Sequence, residues 1–158
     1  MKVRFAVPAE AEECWNIRNQ AIRYGCKNSY DEVVIAAWTP EKMPESYREV
    51  IVANPFFVIE DSDNRPVATG FLELSSSNIE AVFTLPEYTD RGLGSQIIEA
   101  IKDEARERGF EQLTLSSTLN AQAFYEKHGF IFERESIYYS ALAQSELRCI
   151  EMSIKLQA

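Results

Sequence analysis

The stretch from residue 79 to residue 116 constrains this chain more than any other. Residues 79–85 read as a strand, Pro86 turns the chain, and a helix pattern starts near Arg91 and runs to Arg108. Within it Leu93, Ile97, Ile101 and Ala105 recur every four residues with Ile98 beside them, which makes one apolar stripe. Gly109 stops the helix after a basic last turn, and residues 110–116 read as the next strand. Two strands joined through a helix form a parallel pair with a right-handed crossover.

Two glycines, Gly92 and Gly94, open that helix. Glycine in a helix interior costs about 1 kcal/mol relative to alanine. Two in one turn suggest that something approaches the backbone closely, and the free N–H groups of a helix N-terminus bind anions. The local reading is a phosphate cradle. It matches neither common nucleotide loop: G-x-x-x-x-G-K-[ST] is absent, and the single G-x-G lacks the third glycine of the dinucleotide fingerprint.

At 158 residues the chain has the length of one domain spanning 1–158 with a sizeable core. Cys14, Cys26 and Cys149 have no metal-type spacing and read as the reduced thiols of a cytoplasmic protein, so no metal is expected. There is no secretory pattern at the start and no apolar run long enough for a membrane span. A formal net charge of −9 argues against nucleic acid as a partner and fits a cationic or neutral substrate better than an anionic one.

The rest of the chain supplies the companions of that unit. Residues 2–6 suggest a strand. Pro8 suits a helix start, with Glu10, Glu12 and Glu13 near its positive end and Gly25 at its close. Further helices are expected over 31–38, with Asp31 as cap, and over 45–52. Residues 56–60 and 67–74 form a hairpin around the turn cluster 61–66, and Gly70 marks a bulge or bend. A short helix over 120–128 and two last strands, 130–139 and 148–156, complete the order β-ααα-βββ-α-β-α-ββ. That is a mixed α/β (α+β) chain with helices on the faces of a mixed sheet.

Three pieces in this order resemble the GNAT superfamily of N-acetyltransferases. Thr84-Leu-Pro-Glu-Tyr88 is similar to its V-x-P-x-Y strand end, and Arg91-Gly-Leu-Gly-Ser95 to its pyrophosphate loop. Asn120-Ala-Gln-Ala-Phe-Tyr-Glu-Lys-His-Gly-Phe130 is similar to the helix on its cofactor side. One departure is plain: Thr89 stands where the family's loop begins with Gln or Arg, and the acidic Asp90 follows.

The resemblance implies a GNAT-like acyl-CoA N-acyltransferase fold with six or seven strands, and acetyl-CoA as co-substrate. It implies main-chain contacts at Val82, Phe83 and Thr84 to the pantetheine arm and acetyl group. The N–H groups of Asp90, Arg91, Gly92, Leu93, Gly94 and Ser95 would hold the pyrophosphate, and Asn120 the arm from the other side. Tyr125 would be the general acid, since a phenol is protonated at neutral pH and can donate to a departing thiolate. The acceptor pocket would lie at the first two helices and the last strand loop, with Tyr30 and Trp38 contacting substrate among Tyr24, Cys26, Asn28, Tyr138 and Tyr139. A homodimer is possible, dimers being frequent in the family.

The base stays open. Glu80 is the first candidate, expected on the same strand face as Val82 and Thr84, with Glu73 on the neighbouring strand second and water a third. His128 reads as a helix-end residue. Two functions remain. One is an enzyme moving acetyl from acetyl-CoA to a primary amine of a small molecule or peptide, by direct attack in a ternary complex. The other is a non-catalytic acyl-CoA sensor on the same fold.

Overall fold

The computed structural model describes residues 1–156. They build a seven-stranded sheet in the order β1-β2-β3-β4-β5-β7-β6. The strands are β1 (Lys2–Phe5), β2 (Phe56–Glu60), β3 (Pro66–Glu73), β4 (Asn78–Thr84), β5 (Gln112–Ser117), β6 (Ile131–Ser140) and β7 (Ser145–Lys155). The helices are α1 (Ala11–Gly25), α2 (Glu32–Trp38), α3 (Ser46–Ala53), α4 (Leu93–Glu107) and α5 (Gln122–Lys127). Only β4 and β5 pair in parallel, as their helical crossover requires.

Helix α4 lies on one face of the sheet. Its stripe of Leu93, Ile97, Ile98, Ile101 and Ala105 is buried against Leu72, Ile79, Leu113, Leu115 and Met152. Each large aliphatic there contributes roughly 1.5–3 kcal/mol of burial. Helix α5 joins the same layer through Tyr125 and Phe124, with Phe130 just after it. Helices α1, α2 and α3 and the segments between them cover the other face, with Trp15, Met43 and Ile51 in one cluster and Ile22, Cys26 and Trp38 in another.

The bulge sits on the strand opposite the one expected. Thr69 pairs with Phe83 and Phe71 with Glu80, so β3 advances two residues while β4 advances three. The extra residue is on β4, where Ala81 takes a positive φ of 55°. Buried Thr69 holds the bulge by donating its hydroxyl to the Ala81 carbonyl at 2.8 Å. Gly70 lies opposite the bulge for a packing reason: a Cβ there would come within 2.3 Å of Ile97 Cγ2. Its missing side chain lets α4 lie close on the sheet.

Candidate active site

Strands β4 and β5 are in register at one place, Asn78 with Thr114, and part beyond it. The main chain of Phe83 and Thr84 therefore pairs with β3 on one edge, Val82 follows the bulge, and all three face an open gap on the other edge. The Asn78 side chain ties the fork of the gap. It accepts from Thr114 Oγ1 at 2.7 Å and donates to Glu80 Oε1 at 2.6 Å.

The gap opens into a cavity of about 440 Å³ on the α1/α2 side. Its walls include residues 79–84 of β4, Ser116, Thr118 and Asn120 after β5, and Arg18, Tyr24, Cys26 and Trp38 from α1 and α2. A second groove of about 480 Å³ runs along the start of α4 and shares Val82, Thr84 and Thr89 with the first. The two adjoin at these residues, one at the helix N-terminus and the other at the strand gap.

The bulge changes where Glu80 points. Cross-strand pairing sets Glu80 and Phe83 on the face of Phe71 and Thr69, and Val82 on the α4 face beside Gly70. The expectation that Glu80 shares a face with Val82 and Thr84 is thereby corrected, because one added residue reverses the alternation. Glu80 lies on the α1/α2 side, and burial together with Glu73 and Glu151 lifts its carboxyl above the usual carboxylate range. Tyr125 comes from α5 on the opposite face, lines the cavity, and is 9% exposed. Burial, then the charge of Glu80, raises its phenol well above the ordinary value of 10.0.

At the α4 start the first helical bond is Gln96 N–H to the Gly92 carbonyl at 3.1 Å, so the N–H groups of Leu93, Gly94 and Ser95 have no helical acceptor. Asp90 and Gly92 both take positive φ, 63° and 77°, which coils the loop ahead of these donors. The two glycines have reasons of their own. Gly92 needs its left-handed conformation, and a Cβ on Gly94 would stand 3.1 Å from the Phe124 ring. An anion at this helix start would meet the free amides, with Lys127 lining the groove beside them. These groups fit a pyrophosphate. Arg91 turns away, its guanidinium over the Tyr88 ring at 4.9 Å. Ser95 Oγ is 2.9 Å from His128 Nε2, and His128 also faces Glu99, a helix-end setting.

The other expected residues divide. Trp38, Tyr24, Cys26, Asn120 and Tyr138 line the cavity, whereas Asn28, Tyr30 and Tyr139 are not among its walls. Tyr30 donates to the Arg148 carbonyl at 2.6 Å, accepts from Leu119 N–H at 3.3 Å, and meets Trp38 edge-on, so it braces the wall from behind. Asn120 Oδ1 accepts from Cys26 Sγ at 3.4 Å. Sequence reasoning missed Arg18, Lys127 and Asn78. Arg18 carried a signal: it interrupts the apolar positions Cys14, Trp15, Ile17 and Ile22 of α1. Among the described residues no group of three or more His, Cys, Asp or Glu side chains is arranged to hold a metal ion. No helix among them is long and apolar enough to cross a membrane.

Residues 26–155 match the family model described as Acetyltransferase (GNAT) domain. An acetyltransferase of Streptococcus pyogenes is 40% identical over 79 residues, 48% of this chain and 54% of that protein. The chain thus spans about half the length of such relatives. The N-acetyltransferase YafP of Escherichia coli is 26% identical over 131 residues, 82% of this chain and 81% of its own. A GCN5-related N-acetyltransferase from Rhodopseudomonas palustris superposes with a TM-score of 0.88 at 21% identity, covering 98% of this chain and 95% of that one. The PaiA N-acetyltransferase of Thermoplasma acidophilum, solved with coenzyme A, gives 0.77 at 17% identity over 98% of each chain. At these identities the solved structures establish likeness of fold.

Proposed function

Because this chain belongs to the GNAT acetyltransferase family, we propose that it transfers an acetyl group from acetyl-CoA to a primary amine by direct attack within a ternary complex. The observation that carries this reading is the gap between β4 and β5, with Glu80 on one side of the sheet and Tyr125 on the other. Acetyl-CoA is the co-substrate and supplies the activated acetyl group. The free amides of Leu93, Gly94 and Ser95 and the Lys127 ammonium would hold its pyrophosphate. The β5-side edge of the β4 main chain at Val82, Phe83 and Thr84 would hold the arm, with Asn120 opposite. The amine would enter from the α1/α2 side past Trp38.

The roles follow from the two environments. Glu80, with its raised carboxyl pKa, takes a proton from the entering ammonium, so that the amine attacks neutral. Tyr125 stays protonated and donates to the departing sulfur. Acid and base thus act from opposite faces, so neither group has to cross the reacting atoms. Holding both reactants in one path lowers the barrier by positioning. The three buried free thiols support a reducing, cytoplasmic setting.

Calorimetric titration with acetyl-CoA, CoA and ATP tests the reading. Acetyl-CoA is expected to bind at micromolar strength and ATP far more weakly. Absence of acetyl-CoA binding would remove the pyrophosphate site, and with it the transferase assignment.

A further inference from the structure

Arg18 enters the acceptor cavity as a charge without a counter-charge among the described residues. It lies on the buried side of α1 and is 9% exposed. Its Nη1 donates to Asn19 Oδ1 at 2.7 Å and to the Trp38 carbonyl at 3.0 Å, and its guanidinium lies over the Trp15 ring at 4.3 Å. Among the described residues it has no ion-pair partner, whereas the more exposed Arg4, Arg23 and Arg48 each have at least one. Burial lowers its pKa to about 10, with only the Tyr47 and Tyr138 hydroxyls opposing. An unpaired buried cation destabilises a fold, and a natural protein that keeps one in a cavity wall has a use for it.

The free part of the guanidinium is specific. Among the described residues Nε and Nη2 have no acceptor, yet neither is sealed from solvent, Tyr47 Oη being the one fully buried, partnerless polar side-chain atom there. Nε–H and Nη2–H share one edge and point the same way, spaced for two oxygens of a carboxylate. Glu80 lines the same cavity but does not neutralise Arg18, its charged neighbours being Glu73 and Glu151. Tyr138 lines the same cavity, where burial and the charge of Glu80 raise its pKa and the charge of Arg18 lowers it. The cavity has an acidic end at the strand gap and a basic end at α1.

We propose that the acceptor is an amino-carboxylate: its carboxylate docks on the Nε–Nη2 edge of Arg18 while its amine sits towards Glu80 and the gap. This rests on the N-acetyltransferase reading above. The chain's net negative charge does not oppose it, since the local charge at α1 decides what binds there.

The test uses the full chain with acetyl-CoA and follows thiol release. Acceptors are offered in sets: a common L-amino acid, the amine left when its carboxyl is removed, and the aminoalkyl phosphonate of the same length. The wild type is expected to favour at least one amino acid over its carboxyl-free amine by about 100-fold in kcat/KM. Arg18→Gln is expected to bring that ratio close to one, mainly through KM. Arg18→Lys, which keeps the charge but not the edge, falls between. Equal turnover of amino acid and amine by the wild type, equal loss of both in Arg18→Gln, or preference for the phosphonate overturns the proposal. Should Arg18→Gln fail to fold, the wild-type ratio alone decides. If no amine is acetylated, the transferase reading fails separately, and calorimetry with the same amino acids decides the anion site: binding by the wild type that Arg18→Gln loses supports it, and no binding overturns it.

Discussion

Tyr125 and Glu80 are both buried titratable groups, and burial moves both towards the protonated form. For an acid that is an advantage and for a base a constraint. Tyr125→Phe is expected to lower kcat by roughly 10- to 1,000-fold with acetyl-CoA affinity nearly unchanged, and steady-state kinetics beside calorimetry separate the two. In the proposed mechanism Glu80 takes the proton only when ionised, so activity should rise with pH through a carboxyl pKa above the ordinary 4.5. Glu80→Gln should abolish that limb of the kcat/KM profile. Stability runs the opposite way. A carboxyl whose folded pKa is raised destabilises the fold once pH exceeds its unfolded value. Glu80→Gln should therefore melt no lower than wild type at neutral pH, with its relative advantage growing as pH rises through the raised pKa. A large loss of melting temperature would show that Glu80 is structural.

At the scale of elements the site depends on the β4 bulge and on how closely α4 lies beneath it. Gly70 and Gly92 separate two uses of glycine. Gly70→Ala puts a methyl 2.3 Å from Ile97 Cγ2, and should cost about 1–3 kcal/mol by overpacking, read as a lower denaturation midpoint. Nothing crowds Gly92, so a substitution there acts only through its φ of 77°. The bulge was legible as irregularity at Gly70, but not its strand. Glycine tolerates both a bend and a close helix, and the choice depended on Ile97, which follows by 27 positions in the chain.

For the whole molecule, the outer edge of the sheet is held by charge. Arg4 on β1 meets Glu10 at 2.7 Å, just before α1, and Glu60 on β2 at 2.6 Å. The Arg4 hydrogen bonds hold the Glu10 carboxyl below its ordinary 4.5. Its stabilisation is full above that value and fades as pH falls through the lowered pKa. Glu10→Gln should cost roughly 1 kcal/mol at neutral pH, the difference from wild type shrinking in acid. Melting curves across that range check it; a constant difference would mean that shape rather than charge matters at this position.

The order of strands and helices, the parallel β4–β5 pair, and the glycine loop ahead of α4 were determined by the sequence alone. Each depends on local periodicity or on a turn residue that acts where it stands. The family resemblance pointed to Tyr125, and the structure lines the cavity with it. Only the tertiary structure decided which face Glu80 takes, that Tyr30 braces Trp38 from behind, and that Arg18 has no carboxylate beside it among the described residues. Those properties depend on contacts between distant segments. A one-residue bulge reverses a face, a hydroxyl finds its acceptor 118 residues away, and whether a buried charge has a partner depends on which distant side chains fold against it.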